Sequence, residues 1–198
     1  MTQTLQFVAP EEMARANFYG LVARLFYAAP DAQLIAELRQ APPIEGAGEL
    51  AVAWREMVGA CSSAFPVALE REHTVLFVGT GKAEVTPYLS HYVMKYTNDN
   101  PLVELRQQLS AWRIGRREEV PEYEDHISGI CEVMRFAIAV QHRNEGDQRK
   151  FFGRFVYPGA TAFCNAVIAS PNARFYRLVA RFAHTFLEIE KAAFEMGG

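Results

Sequence analysis

Large apolar side chains return every three or four positions along most of this chain, which is the spacing of one buried face of an α-helix. The pattern is clearest over residues 11–27, and Pro30 ends it. Asp31 stands where it can cap a second, short helix that reaches Leu38 before a Pro-Pro pair. Few segments alternate with a period of two, so the pattern predicts an all-α fold.

The same spacing predicts further helices and, in all, a bundle of about nine to ten helices. They are expected over residues 46–64, 66–77, 89–96, 101–112, 121–143, 147–156 and 158–169, with a last helix that ends near Glu195. The helix expected over 121–143 carries acidic residues in its first turn, where they complement the helix dipole. Its buried stripe is predicted to consist of Ile127, Ile130, Cys131, Met134 and Ile138.

Aromatic residues are dense in the last third of the chain and stand largely at helical spacing. Such side chains can line a binding surface, but at this spacing they more often pack one helix against another. We therefore assign to the core Phe151, Phe152, Phe155, Tyr157, Phe163, Phe175, Tyr176, Phe182, Phe186 and Phe194.

Composition sets the size of the folding unit. The chain has 198 residues, of which 50% are hydrophobic, so it can bury a substantial core without disulfides or a structural metal. We expect one domain over residues 1–198, with a hinge at 113–121 between an N-terminal and a C-terminal helical part. The net charge of -3 and the lack of a basic stripe argue against a nucleic-acid partner.

The cysteines indicate a reducing compartment. Cys61, Cys131 and Cys164 are odd in number, widely spaced and set among apolar neighbours, as reduced core thiols are. The first ten residues lack the basic and apolar regions of an export leader, and no apolar run has the length of a membrane span. We expect a cytoplasmic protein that does not insert stably into a membrane.

The sequence offers little for catalysis or metal binding. The five histidines form no His-x-x-x-His pair, and no Cys-x-x-Cys occurs, so we predict no metal site and no cofactor. Asp125 and His126 could act as an acid-base pair, yet adjacent helical residues point about 100 degrees apart. We expect no enzymatic activity, and a small helical enzyme that uses His126 stays as the alternative from another class.

Two segments together predict a binding groove with an acidic and an apolar part. The acidic segment carries five carboxylates just before a histidine: Glu118, Glu119, Glu122, Glu124, Asp125 and then His126. The other segment combines apolar side chains with aromatic ones that have polar tips: Leu76, Phe77, Pro87, Tyr88, Ser90 and Tyr92. The alternatives are a solvated helix start for the acids, core packing for the tyrosines, and a hydrogen bond between helices for His126.

These segments resemble the motifs of the TorD/DmsD/NarJ family of cytoplasmic chaperones, which mature molybdenum-cofactor redox enzymes. The family's Leu-Phe-x-Gly stretch and the Pro-aromatic and Ser-x-Tyr that follow resemble residues 76–79 and 87–92. Its Glu-Pro-Asp-His motif before an apolar helix resembles residues 122–126, although Glu124 stands where the family has proline. The resemblance covers nearly the whole chain and implies a TorD-like helical fold.

The resemblance also implies a function. Such chaperones bind the twin-arginine signal peptide of a client, and often its body, until the cofactor is inserted and export is permitted. The peptide-binding residues would be Leu76, Phe77, Pro87, Tyr88, Ser90, Tyr92, Glu122, Glu124, Asp125 and His126. The partners would be a molybdoenzyme precursor and its signal peptide, and the protein would be a monomer or a domain-swapped dimer. The alternative within this family is a NarJ-like assembly factor for a client that is not exported.

Overall fold

The computed structural model describes residues 9–79, 82–93, 100–115 and 121–197, which form a bundle of α-helices and contain no β-strand. The all-α prediction is confirmed. In chain order the helices are α1 (Pro10–Tyr27), α2 (Ala32–Gln40), α3 (Glu49–Ala60), α4 (Pro66–His73), α5 (Ser90–Val93), α6 (Pro101–Ala111), α7 (Ile127–Ala139), α8 (Glu145–Phe151), α9 (Tyr157–Ala169) and α10 (Phe175–Met196). A 3-10 turn follows α3 at Cys61–Ser63, and π-helical turns follow α4 at Thr74–Val78 and α8 at Phe152–Val156.

Local capping signals in the sequence explain where several helices begin. The Asp31 carboxylate accepts a hydrogen bond from the backbone N–H of Leu34 at 2.8 Å and so caps α2, as predicted. The Asn100 side chain accepts from the N–H of Leu102 at 3.1 Å, and Pro101 opens α6. Both starts could be predicted from the sequence because the capping side chain and the backbone N–H that donates to it are close along the chain.

The helices near Pro158 are joined, although the sequence predicted two separate ones. The chain stays helical from Glu145 to Ala169, because the π-helical turn Phe152–Val156 lies just before Pro158. Proline has no N–H, and its ring collides with the preceding turn of a regular α-helix. A widened turn at this point relieves that collision and lets α8 run on into α9.

Helix α7 begins later than the sequence predicted. It was expected to start near Pro121 with acidic residues in its first turn, but it starts at Ile127 and ends at Ala139. The acidic residues lie instead in a non-helical segment, 121–126, whose backbone pairs with another part of the chain. Leu89 donates its N–H to the Asp125 carbonyl, and Ile127 donates to the Pro87 carbonyl, each at 2.9 Å. The predicted start was wrong because this pairing is distant in sequence.

The core lies where α10 packs on α3 and α9 and where α1 packs on α7, and edge-to-face aromatic pairs help to fill it. Phe186 meets Tyr19 at a ring separation of 4.9 Å, and Phe26 meets Phe163 at the same separation. The core assignment of the C-terminal aromatics is confirmed for eight buried residues: Phe151, Phe152, Phe163, Phe175, Tyr176, Phe182, Phe186 and Phe194. Phe155 and Tyr157 are only partly buried against the same core.

A charged cluster lies inside this core between α1 and α10. Glu190, only 3% exposed, accepts hydrogen bonds from Arg15 at 2.7 and 2.8 Å and from the Tyr19 hydroxyl at 2.9 Å. Burial and the neighbouring Glu190 carboxylate raise the pKa of Tyr19, which stays a hydrogen-bond donor. The Glu190 carboxylate is therefore satisfied away from water by Tyr19 and by the partly exposed Arg15, which also pairs with Glu12.

The Leu-Phe-x-Gly stretch ends in a turn that only glycine tolerates. Gly79 has a φ of 65°, and a Cβ there would lie 2.1 Å from the Lys82 carbonyl oxygen. Beyond the turn, the Glu84 carboxylate accepts from the Ser170 hydroxyl at 2.5 Å and from the Asn172 amide at 2.7 Å. These contacts tie the segment before α5 to the turn between α9 and α10.

Two other expectations meet the structure in part. Cys61, Cys131 and Cys164 are buried free thiols, and burial raises the pKa of each. No described helix combines the length and the apolar character needed to cross a bilayer.

The hinge expected at 113–121 stays a prediction. Residues 116–120 of that range lie outside the described part of the chain.

Candidate functional site

The two segments singled out from the sequence are brought together. The backbones of Tyr88 and His126 form an isolated antiparallel bridge, and their rings meet edge to face at 5.5 Å. The Tyr88 hydroxyl also donates a hydrogen bond to the Glu122 carboxylate, and burial is the main cause that raises the pKa of Tyr88. The acidic segment and the Pro-aromatic segment therefore form one structural unit at the entrance to α7.

Asp125 holds this unit together from within. Its carboxylate is 5% exposed and accepts hydrogen bonds from both the hydroxyl and the backbone N–H of Ser90. A carboxylate at the first residue of α5 satisfies one of the N–H groups that the short helix leaves unpaired. Asp125 and Ser90 thus fasten two chain segments to each other and present little surface to a ligand.

Most of the predicted apolar residues are also inside the molecule. Leu76 is fully buried and Phe77 is 7% exposed, and Pro87 is buried as well. Tyr92 is half-buried and donates its hydroxyl to the Thr86 carbonyl at 2.8 Å. These residues shape the core beneath the bridge and do not line an open groove.

Beside the bridge lies an open cleft of about 630 Å³, formed by the end of α1, the end of α6 with the turn that follows it, the segment 122–126 and residues 128–136 of α7. Three of the predicted site residues line it, namely Glu122, Glu124 and His126. The other lining side chains that matter here are Arg24, Tyr27, Leu109, Arg113, Ile114, Tyr123, Glu132, Val133, Arg135 and Phe136.

The apolar wall of the cleft consists of residues that the sequence reasoning missed. Tyr123 is 58% exposed, Tyr27 is 46% exposed and Phe136 is 39% exposed, which is unusual for such large rings. A signal was present in the sequence, because Val133 and Phe136 are apolar yet fall outside the stripe predicted to be buried in α7. In the structure Val133 is buried, and Phe136 continues this second apolar face toward solvent.

The charges of the cleft are mixed, whereas the sequence predicted an acidic site. Three glutamates and three arginines line it. The Glu124 carboxylate accepts from the Arg106 guanidinium at 3.0 and 3.1 Å, and Arg135 donates to Glu132 at 2.9 Å. Because these carboxylates already have cationic neighbours, the cleft carries charges of both signs and is not simply electronegative.

His126 caps α7 and keeps its imidazole largely neutral. Its Nδ1 accepts a hydrogen bond from the backbone N–H of Ser128 at 3.2 Å, and the side chain is 5% exposed. Desolvation lowers the pKa of His126 and outweighs the opposing influence of Glu122 and Asp125. The hydrogen bond stays within the start of one helix, in contrast to the alternative of a bond between helices.

This burial predicts that the fold loses stability as the pH falls below about 6.5, the ordinary pKa of histidine. In that range the unfolded chain binds a proton that the folded protein excludes from His126, so acid favours unfolding. His126→Asn keeps a capping side chain and removes the titration, so its stability should fall less steeply between pH 7 and 5. Burial lowers the pKa of His73 as well, so a residual slope should remain. Equal slopes for variant and wild type in urea titrations would contradict this prediction.

Among the residues that the structure describes, no three His, Cys, Asp or Glu side chains lie close enough together to bind a metal ion. Asp125 and His126 bond to Ser90 and Ser128 respectively, so the two neighbours serve different backbone segments. What the site offers is an open, partly apolar cleft with charged side chains of both signs.

Comparison with known proteins points to one family. The family described as nitrate reductase delta subunit matches residues 44–165, which is more than half of the chain. A crystal structure from Archaeoglobus fulgidus, assigned as a redox enzyme maturation protein, aligns with a TM-score of 0.54 and 18% sequence identity, over 94% of this chain and 99% of that one. At that identity the likeness concerns the fold alone. No curated protein matches the chain.

Proposed function

The chain belongs to the nitrate reductase delta subunit family of maturation chaperones for molybdoenzymes, and on that premise we propose that it holds a client precursor by the client's N-terminal segment. The observation that carries the proposal is the open cleft beside the bridge, with its exposed aromatic wall and charged rim. The chaperone would keep the precursor until its cofactor is inserted. It would do so in the cytoplasm, without catalysis of its own.

A twin-arginine signal peptide is the first candidate for the occupant. Such a peptide combines a cationic start with an apolar stretch. Glu122, Glu124 and Glu132 offer carboxylates that can pair with guanidinium groups, and Tyr27, Tyr123 and Phe136 offer apolar area. Exposed ion pairs contribute about 0–1 kcal/mol each, so apolar burial at about 25 cal/mol per Å² should supply most of the affinity.

The second candidate is the N-terminal segment of a molybdoenzyme subunit that is not exported. Two observations favour it, namely the nitrate reductase delta subunit match and the arginines in the cleft. A purely cationic leader gains nothing from Arg24, Arg113 or Arg135, whereas a segment with charges of both signs does.

Calorimetric titration of the purified protein with two synthetic peptides tests the proposal. One peptide is a twin-arginine leader, and the other is an amphipathic segment with both lysines and glutamates; each has a control in which its apolar residues are replaced by serine. We expect at least one of the two to bind saturably and its serine control to bind at least tenfold more weakly, because apolar burial dominates. If neither peptide binds, or if serine controls bind equally well, the chain does not hold clients in this way.

A further inference from the structure

One residue of the cleft has a backbone conformation that its side-chain type disfavours. Arg113 follows α6 with a φ of 56°, in the left-handed region that glycine adopts most easily. The turn is a Schellman motif, because the Ile114 N–H bonds to the Leu109 carbonyl at 2.9 Å and the Arg113 N–H bonds to the Ser110 carbonyl at 2.9 Å. Glycine is the usual residue at this position, so arginine stands here at a cost in stability.

The side chain of Arg113 belongs to the cleft. It lines the cleft together with Leu109 and Ile114, the two apolar residues that the turn brings side by side. A long cationic side chain is therefore fixed at the rim by a turn that holds its backbone rigidly. Strained backbone positions of this kind occur often in functional sites.

The other charged residues of the cleft already have partners. Glu122 accepts from Tyr88, Glu124 accepts from Arg106, Glu132 accepts from Arg135, and Arg24 donates to Asp31. For Arg113, by contrast, no carboxylate of the described residues lies within ion-pair distance. The Arg113 guanidinium is thus exposed at the cleft and forms no ion pair with the described residues.

We propose that Arg113 is a specificity-determining residue that binds a carboxylate side chain of the peptide in the cleft. The proposal rests on the function proposed above and narrows its ligand class to amphipathic segments that contain an acidic residue. A planar guanidinium can donate two parallel hydrogen bonds to such a carboxylate. The Arg113 guanidinium and the neighbouring apolar pair, Leu109 and Ile114, would together recognise an acidic residue next to an apolar one.

His142 provides a matched control for the backbone. It follows α7 with a φ of 49°, so it carries the same kind of strain, but it does not line the cleft. Arg113→Gly and His142→Gly should each raise Tm by about 1–3 °C, since glycine relieves the left-handed position. Both variants should therefore be stabilised, but only Arg113→Gly removes a side chain that lines the cleft.

Binding of a glutamate-scanned peptide series tests the proposal. The probe is a synthetic amphipathic peptide with a basic start, in which single positions beside the apolar face carry Glu or Gln. In the wild type we expect a Glu form at one position to bind about threefold to fivefold more tightly than its Gln form, the range of one exposed ion pair. This preference should vanish in Arg113→Gly and persist in His142→Gly. In Arg113→Glu a Lys form at the same position should be preferred.

The outcomes separate this inference from the function on which it rests. If the series binds but no position prefers Glu, or if the preference survives Arg113→Gly, the role of Arg113 is overturned and the cleft remains a peptide site. If no peptide of the series binds the wild type, the role of Arg113 is overturned, and the proposed function then depends on whether the twin-arginine leader binds.

Discussion

Arg15→Ala should lower the free energy of unfolding by about 3 kcal/mol, far more than the loss of an exposed ion pair. The substitution leaves the Glu190 carboxylate buried at 3% exposure with only the Tyr19 hydroxyl as a partner. A charge that cannot reach water and has lost its counter-ion destabilises the folded state much more than a lost surface pair does. Urea unfolding followed by circular dichroism measures the change.

Two control variants distinguish the cost of leaving Glu190 buried without a counter-ion from the cost of losing the Arg15 side chain. Glu12 is the other partner of Arg15 but is itself partly exposed, so Glu12→Ala should cost less than about 1 kcal/mol. The combined variant Arg15→Met, Tyr19→Phe and Glu190→Leu removes every polar group of the cluster and should recover most of the stability. A loss under about 1 kcal/mol in Arg15→Ala would mean that Glu190 finds other solvation between α1 and α10.

The helices that the sequence predicted well are those whose signals are local. Over α1 the apolar period and a terminating proline suffice, and α2 is fixed by a cap whose acceptor stands three residues from its donor. The start of α7 failed for the opposite reason, since the pairing of 87–89 with 125–127 joins residues that are far apart in sequence. No window of neighbouring residues carries that information.

The candidate site shows the same division. The sequence brought the acidic and aromatic segments into one hypothesis, and the Tyr88–His126 bridge agrees with that proximity. It did not distinguish surface from core, so Leu76 and Phe77 were expected in a groove although they are buried. An apolar motif is compatible with both locations, and only the packing of surrounding helices decides between them.

The position of the cleft follows from how α1 and α7 contact each other. The Ser128 hydroxyl donates to the Ala23 carbonyl at 2.8 Å, which fixes the start of α7 against the end of α1. Beyond this contact the two helices leave Tyr27 and Phe136 without a covering element among the described residues. Arg24 of α1 and Arg135 of α7 then add positive charges to the cleft. The sequence of the acidic segment alone could not predict them.

Tyr123→Ala combined with Phe136→Ala should weaken peptide binding roughly 10- to 50-fold while it leaves the fold intact. The two rings are 58% and 39% exposed in the free protein, so their removal costs the core little. If the bound peptide covers about 100 Å² of their apolar surface, the loss is about 2.5 kcal/mol at about 25 cal/mol per Å², before the ordering of the rings is subtracted. The measurement is the dissociation constant of whichever synthetic peptide binds the wild type.

Phe65→Ala is the matched control, because Phe65 is 72% exposed and lies outside the cleft. It should leave the dissociation constant unchanged. An equal loss in the control, or none in the double variant, would place the peptide elsewhere on the molecule.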